Sequence, residues 1–275
     1  MIAFNGQYLP AASHGNMRIT AACLGGQWVI GGNWLLSATQ QAIIAAFGAE
    51  EGIAVIRRTN DYLNALALTD TTRAQQLAMF INEDPMLVCS LVETSKTRWL
   101  VGDGKAKIIT DVVPSANTGV KVLLKKISSV HNSFAFSAGT LNDRYGVYDQ
   151  GNILLYWYYP NGYKSTGVSY SNTLLIEYNI DSRISIKDIS GNELYGATLN
   201  QIDCSGVLQT GSSTTYPNGV DSYEYMIAET NGVEVFHGIP CTYQGEAGML
   251  DIISGTFHPN ANTEGAFTIQ ITDKQ

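Results

Sequence analysis

A chain of 275 residues, 45% hydrophobic and only 15% charged, is long and apolar enough for one large globular core or two moderate ones. Its formal net charge of -8 excludes a phosphate-tracking nucleic-acid surface, which would need clustered Lys and Arg. The densest basic run, Lys121 to Lys126, holds three lysines interleaved with apolar residues and reads as the solvated face of a strand.

The first residues lack a basic segment followed by a continuous apolar run, so no secretory signal peptide is expected. No stretch reaches the length of a membrane span, so no membrane insertion is expected. Met17 to Leu24 and Gln27 to Ile30 read as short strands separated by Gly25-Gly26. Ser37 with Gln40 three residues on has the form of a capping box. The stripe Ala42, Ile43, Ala46 and Phe47 follows and Gly48 ends it, which predicts a helix over 37–47. Ile53, Ile56, Leu63 and Leu66 recur at roughly helical spacing and predict a second helix within 53–68, although Ile53 to Ile56 also fits a strand. A third helix is predicted over 70–82, capped by Thr69 or Asp70, with Ala74, Leu77, Ala78 and Ile81 on one face and Asp84-Pro85 as its stop. Met86 to Val92 reads as a strand or an extended linker.

Near Ser95 the composition shifts from Ala, Gln and Leu to Gly, Tyr, Ser, Thr and Asn, which marks a boundary between an N-terminal module (1–95) and a second domain (96–275). Short strands follow: 98–101, 107–109, 119–126, 133–137, 144–148, 153–159, 173–179, 183–188, 193–199 and 223–229. Turn signals such as Ser190-Gly191-Asn192 and Asn231-Gly232 separate them. The remainder, 234–271, reads as a short strand, a stop at Ile239-Pro240-Cys241, a core run Met249 to Ile253, and a closing strand with Phe267, Ile269 and Ile271 on one face. The fold class expected is mainly β: a two-sheet antiparallel β-sandwich of jelly-roll type, preceded by a small mixed α/β or α-rich module.

Three segments resemble the concanavalin A-like, laminin-G-like jelly-roll domains of gut bacteria and their phages. They are Trp99 to Gly119 with its Pro114-x-x-Asn117-Thr118 pattern, Arg144 to Tyr148, and the order Gly238-Ile239-Pro240-Cys241, Gly248-Met249-Leu250-Asp251, Phe257, Gly265-Ala266-Phe267. The resemblance covers about 96–272 and does not reach the N-terminal third. It implies that the first and last strands of the domain pair. It also implies a fold that binds sugars, proteins or nothing known, so function must come from a site. In this reading Pro240, Gly248, Phe257 and Phe267 are framework and Cys241 is a buried thiol.

Glycosidases on such sandwiches place two carboxylates along one strand face. No E-x-D-x-E array is present: Glu224 stands among Tyr223, Tyr225 and Met226, and Glu229 and Glu234 flank the Asn231-Gly232 turn. His14, His131, His237 and His258 are isolated, and Cys23, Cys89, Cys204 and Cys241 lack metal-ligand spacing. No catalytic residue, metal or other cofactor is therefore assigned. Asp103, Asp143 and Asp149 offer the one alternative, a loop calcium site of the laminin-G type. The run Tyr156 to Tyr159, with Tyr163, places aromatic side chains on both faces of a strand, so one face must leave the core. Trp157, Tyr159, Tyr163, Asn142 and Asp143 are the glycan-binding candidates, because aromatic rings beside amides and carboxylates suit sugars. Packing of those rings on a neighbouring strand or subunit is the other reading.

The expectation is thus a non-enzymatic phage virion protein, a head or tail fibre or decoration component made in the host cytoplasm. Its N-terminal module would anchor or oligomerise it, with other virion proteins, further copies of the chain and host or mucosal glycans as partners. A bacterial glycan-binding surface protein and a carbohydrate-active enzyme are the alternatives.

Overall fold

The computed structural model describes residues 34–35, 37–126, 133–139, 145–149, 154–159, 162–169, 173–179, 183–198, 206–212 and 221–274, together with short strands among the first 29 residues. Two compact units result, Met1–Thr97 with Asp273–Gln275, and Arg98–Thr272.

The first unit opens with three antiparallel strand pairs: β1 (Ile2–Phe4) with β2 (Gln7–Leu9), β3 (Ser13–His14) with β4 (Met17–Arg18), and β5 (Ala22–Leu24) with β6 (Gln27–Val29). Helix α1 (Ser37–Phe47) ends at Gly48, whose φ of 80° lies in the left-handed region that glycine tolerates. Helix α2 spans Ala49–Thr69 and starts earlier than the apolar spacing suggests. Gly48 turns the chain at once, and Glu50 and Glu51 suit the positive end of the helix. Ile53, expected on the apolar stripe, is instead 45% exposed, and the buried face consists of Gly52, Val55, Ile56, Thr59, Asn60 and Leu63. Gly52 lets the two helices close, because a Cβ there would stand 2.7 Å from the Ile44 Cα. Helix α3 (Thr71–Glu83) is capped as expected: Asp70 Oδ1 accepts from the Arg73 N–H at 2.9 Å. Trp34 is held on α2 by two amides one turn apart, its N–H donating to Asn60 Oδ1 at 3.0 Å and its indole to Asn64 Oδ1 at 2.8 Å.

The segment after Asp84 corrects the expectation of a strand or linker. Pro85–Leu87 forms a 3-10 turn and Val88–Leu91 a short helix, α4. Proline presets the helical φ and needs no donor in a first turn, and the turn buries Leu87, Val88 and Cys89.

The second unit is a β-sandwich. Its strands are β7 (Lys96–Gly102, entering from the first unit), β8 (Lys107–Ile109), β9 (Thr118–Lys126), β10 (Ser133–Ala138), β11 (Tyr145–Asp149), β12 (Leu154–Tyr159), β13 (Gly162–Ser169), β14 (Thr173–Tyr178), β15 (Arg183–Asp188), β16 (Glu193–Thr198), β17 (Gln209–Ser212), β18 (Asp221–Thr230), β19 (Val233–Tyr243), β20 (Glu246–Asp251), β21 (Thr256–His258) and β22 (Phe267–Asp273). One sheet runs β13-β12-β11-β10-β17-β8; the other runs β16-β15-β14-β9-β18-β19-β20-β21, with β7 beside β18 and β22 beside β7. The first and last strands of the sandwich therefore pair. Strands β13 and β17 were not foreseen: both are rich in Gly, Ser and Thr and carry little apolar alternation.

The core lies between the sheets. Val120, Val122, Leu124, Ile176 and Met226 from the larger sheet face Phe136, Val147, Leu155 and Ile108 from the smaller one. Tyr223 crosses between them, its hydroxyl donating to the Phe134 carbonyl at 2.9 Å.

Ile239-Pro240-Cys241 is not a stop, since β19 runs through it and Pro240 pairs with Met249. The Pro240 carbonyl points away from β20 to accept from Arg98 Nε at 3.0 Å. In an antiparallel strand a residue's N and C=O face the same side, so the missing N–H of Pro240 falls where the β20 ladder needs no donor. The run Met249 to Ile253 is also divided: β20 ends at Asp251, and Ile252 and Ile253 lie in a turn that Asp251 braces.

Candidate functional site

Among the expected glycan-binding residues, Asn142 and Asp143 lie outside the described residues. Trp157 is the register partner of Val147 and Lys164, and Tyr159 of Gly162, but the side chains of both lie outside what is described. Tyr163 follows Gly162 on β13, is 58% exposed, and pairs with Tyr158. The register thus places Tyr163 on the face of the Tyr158 position, opposite that of the Trp157 and Tyr159 positions, so the expected residues do not share one face.

Of the calcium candidates, Asp143 lies outside the described residues and Asp149 is described by its backbone alone. Asp103 has both carboxylate oxygens engaged: Oδ1 accepts from the Lys105 and Ala106 N–H groups at 2.9 and 3.0 Å, and Oδ2 from Ala266 N–H at 2.7 Å. Among the described residues no group of three or more His, Cys, Asp or Glu could hold a metal ion. His258 is buried with Nδ1 3.2 Å from the Ile109 carbonyl, and His237 Nδ1 lies 3.3 Å from Glu234 Oε2. Cys241 and Cys89 are buried thiols.

The described surface does contain a cleft that the sequence did not announce. It is carried by three neighbouring strands, β14, β9 and β18, and lined by Gly119, Val120, Lys121, Tyr178, Asn179, Ile227 and Glu229 around a volume of about 190 Å³. Alternation builds it. Val120 and Val122 turn into the core, which sends Lys121 outward, and register sets Glu177 and Ile227 on either side of Lys121. One step along that outward row is Gly119, opposite Glu229. Having no side chain, Gly119 leaves a gap between Lys121 and the strand end at Asn179.

Lys121 Nζ sits 3.3 Å from Glu229 Oε1, with both side chains about one-third exposed. Next to it Lys187 Nζ pairs with Glu177 Oε2. Across the row, Tyr225 meets His237 edge-on with ring centroids 6.3 Å apart. Burial first, then the charges of Glu224 and Glu177, push the Tyr225 phenol above its ordinary value, so it stays neutral. The cleft therefore offers an ammonium donor, a carboxylate acceptor and an exposed amide, all beside the half-buried Ile227. Such a set can hydrogen-bond the hydroxyls of a small polar molecule while covering its C–H surface.

Lys121 and Glu229 are 108 residues apart in sequence, and only the β9–β18 pairing unites them. Alternation of β9 marks Lys121 as outward-facing; nothing local names its partner. No protein-family model and no curated protein matches the chain. Among the described residues no helix is long and apolar enough to cross a membrane.

Proposed function

We propose that the chain is a non-enzymatic structural component of a phage virion, on head or tail, whose sandwich domain binds glycans of a host or mucosal surface. The observation that carries the binding is the cleft on the larger sheet, where Lys121, Glu229 and Asn179 stand beside Ile227 over the gap left by Gly119. Its carboxylate, Glu229, is the ion-pair partner of Lys121, and beside the cleft Glu177 pairs with Lys187, which suits holding a ligand in one geometry. The virion reading draws on the resemblance of 96–272 to jelly-roll domains of gut bacteria and their phages, and on the expectation of no secretory signal peptide. The first unit would anchor or oligomerise the chain.

A glycan array with the purified full chain tests the binding, followed by prolonged incubation of the bound glycans and mass spectrometry. Binding with every glycan recovered intact is the expected result. Shortened products would convert the reading to an enzyme, and a silent array would remove the glycan partner.

A further inference from the structure

We infer that the Lys121–Asn179–Glu229 cleft takes one uncharged sugar ring and discriminates against anionic sugars, an inference that rests on the glycan-binding reading above. Size is the first argument. At about 190 Å³ the cleft is smaller than the roughly 300–1,000 Å³ of sites that enclose drug-sized ligands, so it admits a single ring and leaves the rest of a chain in solvent.

Charge is the second. Lys121 Nζ and Glu229 Oε1 lie 3.3 Å apart and present one donor next to one acceptor. A sugar hydroxyl both donates and accepts, so two adjacent hydroxyls meet the pair without leaving either charge unmatched. A sugar carboxylate would gain Lys121 but would also face Glu229 and, on the other side of Lys121, Glu177. Those carboxylates are already matched by Lys121 and Lys187, so an incoming anion would add uncompensated charge to the two pairs. Glu234, 3.3 Å from His237 on the next strand, adds negative charge to the same face.

The floor of the cleft is apolar beside Ile227. Ile227 gives the C–H face of a ring something apolar to cover, and Gly119 gives it room. Among the described lining groups no aromatic ring is exposed, so weak affinity is expected.

The test is an amide NMR titration of the full chain with methyl glycosides of glucose, galactose and N-acetylneuraminic acid, compared with Gly119→Val and Glu229→Gln. A neutral glycoside should shift the Gly119 and Asn179 amides, with the sialoside at least tenfold weaker. Gly119→Val, a strand-compatible filling of the gap opposite Glu229, should abolish the shifts while the rest of the spectrum keeps its dispersion. Glu229→Gln should weaken the neutral glycoside roughly tenfold and narrow its advantage over the sialoside. Equal or tighter sialoside binding overturns the inference. Shifts centred on Tyr163 instead would overturn this site while leaving glycan binding intact. No shift with any glycoside, together with a silent array, would take down both readings.

Discussion

Asp103 and Ala266 hold each other twice: the Asp103 N–H donates to the Ala266 carbonyl at 3.1 Å, and the Ala266 N–H donates to Asp103 Oδ2 at 2.7 Å. The loop after the first strand of the sandwich is thereby tied to the entry of the last. Asn260 and Asn262 reinforce the tie from the other side, Asn260 Oδ1 accepting from Lys107 N–H at 2.9 Å and Asn262 Nδ2 donating to the Lys105 carbonyl at 2.8 Å. Asp103→Ala removes the acceptor for three backbone N–H groups. Because Asp103 is exposed, water replaces part of the loss, and a destabilisation of about 1–2 kcal/mol is expected in urea unfolding.

Gly248 should tolerate no side chain. A Cβ there would lie 2.3 Å from the His258 carbonyl oxygen and 2.8 Å from the Phe257 ring, and the carbonyl belongs to a paired strand that cannot shift alone. Gly248→Ala is expected to cost about 2 kcal/mol or more, measured as a lower unfolding midpoint.

Tyr223 is fully buried, and burial first, then the charge of Asp221, holds its phenol well above the ordinary tyrosine value. In the unfolded chain the phenol ionises at its ordinary value, so the folded state is favoured below that pH and loses the advantage as pH rises beyond it. Alkaline unfolding should therefore coincide with the ionisation of one tyrosine seen by ultraviolet absorbance. Tyr223→Phe should remove that step and cost about 1–3 kcal/mol, because the buried hydrogen bond from the Tyr223 hydroxyl to the Phe134 carbonyl is lost.

The acid limb has the opposite sign. Hydrogen bonds from the Asn192 side chain and backbone lower the Asp188 carboxyl, and the Arg183 guanidinium lowers that of Glu193. With folded values below unfolded ones, this stability is present above the ordinary carboxylate range and is lost as pH falls through it toward the folded values. Asp188→Asn and Glu193→Gln should each flatten the acid limb of a pH–stability profile. The Glu193 effect should fade in high salt, since its partner is an exposed cation, whereas the Asp188 effect, made by local hydrogen bonds, should persist.

Helices α1 to α3 were legible because their signals are local, Gly48 as breaker, Asp70 as cap, and the face of Ala74, Leu77, Ala78 and Ile81, whereas the short α4 carries no such signal of its own. Strand existence was legible from alternation and turns wherever the alternation was apolar, which is why the polar β13 and β17 escaped. Pairing was not legible. Whether Pro240 breaks a strand depends on which side its nitrogen faces, and only the Met249 and Arg98 neighbours decide that. The same holds for the cleft, because Lys121 and Glu229 gain meaning as a pair only through the β9–β18 ladder. Of the aromatic cluster favoured on composition, Tyr163 alone has a described, exposed side chain.

The measurement that tests the account most directly is immunogold electron microscopy of purified phage particles with an antibody to this chain. Regular labelling at one fixed position on the particle, on the head or along the tail, is the predicted result. Labelling confined to host envelopes, with bare particles, would contradict it.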